Sequence, residues 1–177
     1  MDIVIILQII TITVSVVSMI LGVVNVISEN NKNRYLEIVT NNRVENKKKV
    51  QGAAKIILTA TQEVLLSEAD LSTLKEAAGA LSEMTVVLKD IYPQENKLLK
   101  IGDRLLADYK MFVENKNSVE YRNRVLQSRE DFYTEFSIYD LADWQFIKNQ
   151  FSGKKANAQD FDNIYEEIQG KYKNKKG

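Results

Sequence analysis

Residues 3–27 read IVIILQIITITVSVVSMILGVVNVI, and no Lys or Arg occurs before Lys32. At 1.5 Å per residue, a helix of about 25 residues spans the ~30 Å hydrocarbon core of a bilayer with room for tilt. A cleaved signal peptide has a basic start, a shorter apolar stretch and a small-residue cleavage site. Here only Met1-Asp2 precedes the run, and Val24-Asn25-Val26 is a poor cleavage site. The stretch therefore predicts a retained transmembrane anchor over residues 1–28. A buried core helix fits badly with a run this long.

The less apolar residues inside the run are ordered. Gln8, Thr11, Ser15, Ser18, Gly22 and Asn25 follow one another at spacings of three and four, which places them on one helix face. Thr11/Ser15 and Ser18/Gly22 are small-x-x-x-small pairs. In lipid such pairs let helices approach closely, and Gln or Asn can hydrogen-bond across the contact. Three readings stay open: a homo-oligomer interface, docking on another membrane protein, or polar residues tolerated without a partner. A pore lined by the stripe is disfavoured, because the stripe holds no charge.

Flanking charge sets the expected orientation. Asp2 precedes the run, whereas Lys32, Arg34, Arg43 and Lys47–Lys49 follow it. The N-terminus is expected outside the cell membrane and the C-terminal bulk in the cytoplasm.

Beyond the anchor, residues 29–66 read as a stalk helix, with no Pro or Gly until Gly52. Continuing the register of the stripe gives Leu36, Val39, Arg43, Asn46, Val50, Ala53 and Ile57. That seam is apolar at Leu36 and Val39 and again at Val50 and Ile57, and is broken by Arg43 and Asn46. Polar residues in such a seam can set register and oligomer state. Alternatively, the second half of the segment packs into the domain that follows. Lys47–Lys49 read as a solvated face.

The stretch Tyr35-Leu36-Glu37-Ile38-Val39-Thr40-Asn41-Asn42-Arg43-Val44, with its Tyr-Leu-x-x-Val-Thr-x-x-Arg-Val pattern just after an anchor, resembles a group of uncharacterised small single-pass membrane proteins of low-GC bacteria. The resemblance covers the first quarter of the chain. It implies an anchor and a cytoplasmic helical domain, and no known activity. Glu45-Asn46-Lys47 departs from the aromatic residue and second Arg usual in that group.

Residues 67–177 read as a cytoplasmic helical bundle, giving an all-α fold. Apolar residues recur at helical spacing from about Leu71 to Ile91, Glu95 to Glu114, Val119 onward and Ala158 to Lys173. Ser67-Glu68-Ala69-Asp70 and Ser72 offer N-cap chemistry for the first of these, Ser118 is an N-cap for a later one, and Tyr92-Pro93 separates two helices. Gly79, mid-helix among alanines, suggests a close helix crossing. Leu141, Trp144, Ile147 and Phe151 look like one core-facing stripe, on either a restarted helix or a continuous one. The aromatic residues concentrate between Tyr109 and Tyr172, as core or as the wall of a ligand groove.

Composition excludes much chemistry. The chain has 177 residues, no Cys, no His and a formal net charge of zero. Disulfides, thiolate catalysis, Cys/His zinc sites and histidine acid/base catalysis are ruled out. Phosphate-loop, dinucleotide and nucleophile-elbow motifs are missing. Asp140-x-x-Asp143 places two carboxylates on adjacent turns, read as caps or solvated face rather than a metal site. Arg122, Arg124 and Arg129 likewise read as a solvated face. No catalytic residue, cofactor, metal or nucleic-acid partner is expected. The expected partners are membrane lipid and either further copies of the chain or another membrane protein. The functional expectation is a non-enzymatic anchored protein presenting a helical domain for oligomerisation or partner binding. The alternative is a membrane-perturbing effector, a toxin or phage-defence component, whose soluble domain controls assembly of the membrane helices.

Overall fold

A computed structural model describes residues 3–65, 69–88, 92–115, 118–152 and 157–176, with the side chains of residues 3–17, 31–36, 38, 40, 63, 158, 175 and 176 outside that description. Among the described residues the chain is all-helical. The helices are α1 (Ile3–Gln62), closed by a short 3-10 turn (Glu63–Leu65), then α2 (Leu71–Leu88), α3 (Pro93–Glu114), α4 (Val119–Phe151) and α5 (Ala158–Lys176). The chain divides into two compact units, Met1–Asn41 and Asn42–Gly177.

In the first unit the side chains from Ser18 to Asn30 are all exposed. Met19, Ile20, Leu21, Val23, Val24, Val26 and Ile27 are all between 53% and 74% exposed. Among the described residues no helix is long and apolar enough to cross a membrane; the side chains of residues 3–17 are not among those.

The second unit is a bundle of the α1 segment 42–62 with α2–α5. The segment of α1 from Val50 onward is core rather than free-standing stalk: Val50, Ala53, Ala54, Ile57, Ala60 and Val64 are buried. All but Ala60 join Leu81, Met84, Leu98, Leu105, Tyr109, Val125, Phe132 and Phe161 in one apolar cluster. Helix starts follow local chemistry. The Asp70 carboxylate accepts the Thr73 N–H at 2.9 Å, an N-cap bond. Pro93 opens α3, where its missing N–H costs nothing, and Glu95 accepts the Tyr92 N–H at 3.2 Å. Ser118 precedes α4, which runs unbroken through Asp140 to Phe151.

Two expectations on packing are corrected. Gly79 marks no close crossing: it is exposed, and a Cβ there would meet nothing within 4 Å. The close approach is at Gly102 on α3, where a Cβ would lie 2.7 Å from Leu81 Cδ1 of α2. Nor is Leu141-Trp144-Ile147-Phe151 a core stripe. Ile147 is buried, but Leu141, Trp144 and Phe151 are exposed. The core-facing side of α4 is instead Ile138, Tyr139, Ala142, Asp143 and Phe146, which puts two polar-headed residues inward and the Trp outward. The Ser67/Glu68 cap chemistry and the Gly153 break lie outside the described residues.

Candidate functional site

The segment of α1 that enters the bundle is held by charge as well as by apolar packing. Arg43 Nε donates to Asp143 Oδ1 at 3.3 Å, with the two side chains only 22% and 7% exposed. The guanidinium lies over Phe146, 4.4 Å from its ring centroid, and 5.8 Å from that of Tyr92. One turn on, the Lys47 ammonium binds both the carboxylate and the backbone carbonyl of Asp140. Gln51 adds a hydrogen bond to the same carboxylate at 2.8 Å. Both α1 cations, at i and i+4, thus meet both α4 carboxylates, at i and i+3, across antiparallel helices. Burial raises the Asp143 carboxyl above its ordinary range, against the opposing pull of Arg43 and Lys47.

Beneath this layer sits an aromatic cluster centred on Phe161 of α5. Its ring centroid lies 4.9 Å from Tyr92, 5.6 Å from Phe146 and 5.9 Å from Tyr139. Two further buried carboxylates border it, each satisfied. Glu95 accepts the Tyr139 hydroxyl at 3.2 Å. Glu135 accepts the Tyr165 hydroxyl and pairs with Lys97 at 2.6 Å. Burial first pushes both phenols up; after it, Asp143 and then Glu95 raise Tyr139, and Glu135 raises Tyr165. At the far end of the bundle, Arg129 and Arg122 donate to the carbonyls of Leu58 (3.3 Å) and Leu65 (3.1 Å). Cations there complement the C-terminal dipole of α1. Only Arg124, paired with Glu120 on its own helix, matches the solvated face expected of this trio.

A groove of about 430 Å³ opens between α3, α4 and α5, within the size range of small-ligand sites. Ile101, Ile138 and Tyr172 give it apolar walls, and Arg104, Asp131 and Lys173 give it charge. Arg104 is engaged by Asp131 at 2.5 Å. Among the described residues no group of three carboxylates is placed to hold a metal ion.

The residues singled out from sequence fall as follows. Gln8, Thr11 and Ser15 lie on α1, with side chains outside the description. Ser18, Gly22 and Asn25 are helical and exposed. The Leu36 side chain is outside the description and Val39 is half-buried. Val50 and Ile57 are buried in the bundle core, 4% and 0% exposed. Lys47, grouped by sequence with a solvated face, is instead the inward member of the lysine cluster. The signal that would have found the ionic layer was present: Arg43 interrupts a seam that is apolar at Leu36, Val39, Val50 and Ile57, and Asp143 lies beside the core residues Ala142 and Phe146 on α4. No family model, curated protein or solved structure matches the chain.

Proposed function

We propose that this is a single-pass, membrane-anchored, non-enzymatic protein that presents the 42–177 bundle on the cytoplasmic side for self-association or partner binding. The observation that carries this reading is the run of bare apolar side chains from Met19 to Ile27, every large one more than half exposed. Continuous apolar surface of this kind calls for lipid or a partner to cover it, and the sequence upstream extends the same character back to Ile3. The Lys and Arg residues that follow favour a cytoplasmic bundle. Ser18 and Gly22, with Thr11 and Ser15 upstream, provide the small-residue face for helix association.

The test is carbonate extraction and protease accessibility of the expressed chain, followed by cross-linking in mild detergent. The chain is expected in the extracted membrane pellet, with the bundle cut only after the membrane is opened. Gly22→Leu combined with Ser18→Leu is expected to abolish the cross-linked oligomer. Release by carbonate would sink the anchor, and an oligomer indifferent to the double substitution would sink the small-residue interface.

The effector reading keeps the same anchor and adds that the bundle controls assembly of the membrane helices. Induced expression with a potential-sensitive dye separates the two, because only the effector depolarises cells.

A further inference from the structure

The groove between α3, α4 and α5 has a charge pattern that points to one kind of ligand. Five charged side chains line it. Arg104 and Asp131 hold each other at 2.5 Å, and the Gln127 side-chain amide donates to the other oxygen of Asp131 at 2.9 Å. Glu135, 5% exposed, accepts the Tyr165 hydroxyl and pairs with Lys97 at 2.6 Å. Glu130 is engaged as well. That leaves Lys173, which has no ion-pair or hydrogen-bond partner among the described residues.

Lys173 follows Gln169 and Tyr172 on α5 at spacings of four and one, which puts all three on one side of the helix. Among the described residues the Gln169 amide and the Tyr172 hydroxyl have no partner either. The α5 wall thus offers an ammonium, a hydroxyl and an amide, all unused. From α3 and α4 the groove receives the apolar side chains of Ile101 and Ile138.

Sign and size follow from these residues. A cationic ligand finds each acid on the wall already partnered, and gains a counter-charge only by displacing what that acid holds. A polyphosphate meets three carboxylates, and like charges brought together are costly. A monoanion displaces nothing: Lys173 supplies the opposite charge, and Tyr172 and Gln169 donate hydrogen bonds to it. The groove volume of about 430 Å³ admits an apolar body of ring size beside Ile101 and Ile138.

We infer that this groove binds a small organic acid, a single carboxylate on a ring-sized apolar body. The carboxylate sits at Lys173 and Tyr172, and the body lies against Ile101 and Ile138. Every residue in the site belongs to the 42–177 unit, so the inference does not rest on the anchor. Because the wall is shared by three helices, the bound acid ties α5 to α3 and α4 and stabilises the bundle by mass action.

The test is photolabelling of the full chain in mild detergent with 4-benzoylbenzoate, a water-soluble benzophenone acid, against its cationic analogue 4-benzoylbenzylamine. Labelled peptides are located by mass spectrometry. The acid is expected to saturate at about one label per chain, on the peptides that hold Ile101, Ile138 or Tyr172. Lys173 is exposed and unpaired, so its replacement leaves the fold intact. Lys173→Gln should raise the half-saturating concentration of the acid about fivefold, and Lys173→Glu should reverse the preference toward the amine. Equal labelling of the groove by acid and amine, labelling only at other peptides, or a half-saturation indifferent to Lys173→Gln each overturns the inference. Release of the chain by carbonate overturns the anchor and leaves this result standing.

Discussion

Replacing Arg43 by Met isolates what the ionic layer contributes. Met keeps the length and apolar body of the arginine stem, so Phe146 and Tyr92 retain a neighbour, while the charge facing Asp143 disappears. Asp143 is 7% exposed at its side chain, so its carboxylate depends on the guanidinium more than on solvent. Breaking a buried pair by removing one partner costs about 3–5 kcal/mol. Lys47 also draws on the Asp143 charge, which places this case at the lower end, about 3 kcal/mol. Removing both charges, as in Arg43→Met with Asp143→Leu, leaves no uncompensated ion, and the double variant should lie within about 1 kcal/mol of the parent. The assay is urea unfolding of the full chain in mild detergent, followed by Trp144 fluorescence one residue from the perturbed site. With a slope near 2 kcal/mol/M, the single variant shifts the midpoint down by about 1.5 M and the double variant restores most of it. If the single variant moves the midpoint by under about 0.3 M, or the double loses as much as the two single variants combined, Arg43 and Asp143 are not the coupled buried pair described above.

Three further outcomes are expected. Gly79→Ala should raise stability by about 1 kcal/mol, because an exposed mid-helix glycine gains helix propensity and meets nothing. Gly102→Ala should instead be neutral to destabilising by up to about 2 kcal/mol, its methyl displacing Leu81; matched thermal melts that rank the two the other way would reverse the assignment of the close crossing. Phe161→Ala, at the centre of the aromatic cluster and fully buried, should cost about 3–5 kcal/mol, read as loss of the cooperative urea transition or a large midpoint shift. For pH, the folded-state Asp143 carboxyl is raised above the ordinary value near 4. Its proton is bound more tightly in the folded chain, so its contribution to stability is complete below about pH 4 and is lost as pH rises through the raised value. The stability difference between the parent and Asp143→Asn should therefore grow in the parent's favour on acidification toward about pH 4; a difference that shrinks contradicts the direction of the shift.

Local chemistry made the helical class legible. The Asp70 cap, the Tyr92-Pro93 junction and the Ser118 start are each set by residues within one turn, and 3.6-residue periodicity carries the rest. Partner choice across the fold was harder to see. Arg43 and Asp143 stand 100 residues apart, and from sequence alone the arginine looked like a break in a seam. Gly79 and Gly102 are equally plausible close-approach positions until the partner helix is known; the Leu81 side chain decides between them. Trp144 and Ile147 share an apolar period, but the third element, α1 against Asp140 and Asp143, turns the helix so that only Ile147 is covered. Of the candidate groove, sequence offered the aromatic concentration and nothing of the Arg104–Asp131 pair, which joins two helices.

The 100-residue separation of Arg43 and Asp143 also sets an order of events during synthesis. At about 5–20 residues per second, some 5–20 s pass between the emergence of one partner and the other, and Phe161 follows later still. Val50, Ile57 and Val64 wait through that interval without their eventual cover, with two cations one turn apart just ahead of them. Arg43 and Lys47 stand beside that waiting segment as unpaired cations until Asp140 and Asp143 emerge, so the ionic layer and the apolar cover of Ile57 arrive with the same stretch of chain.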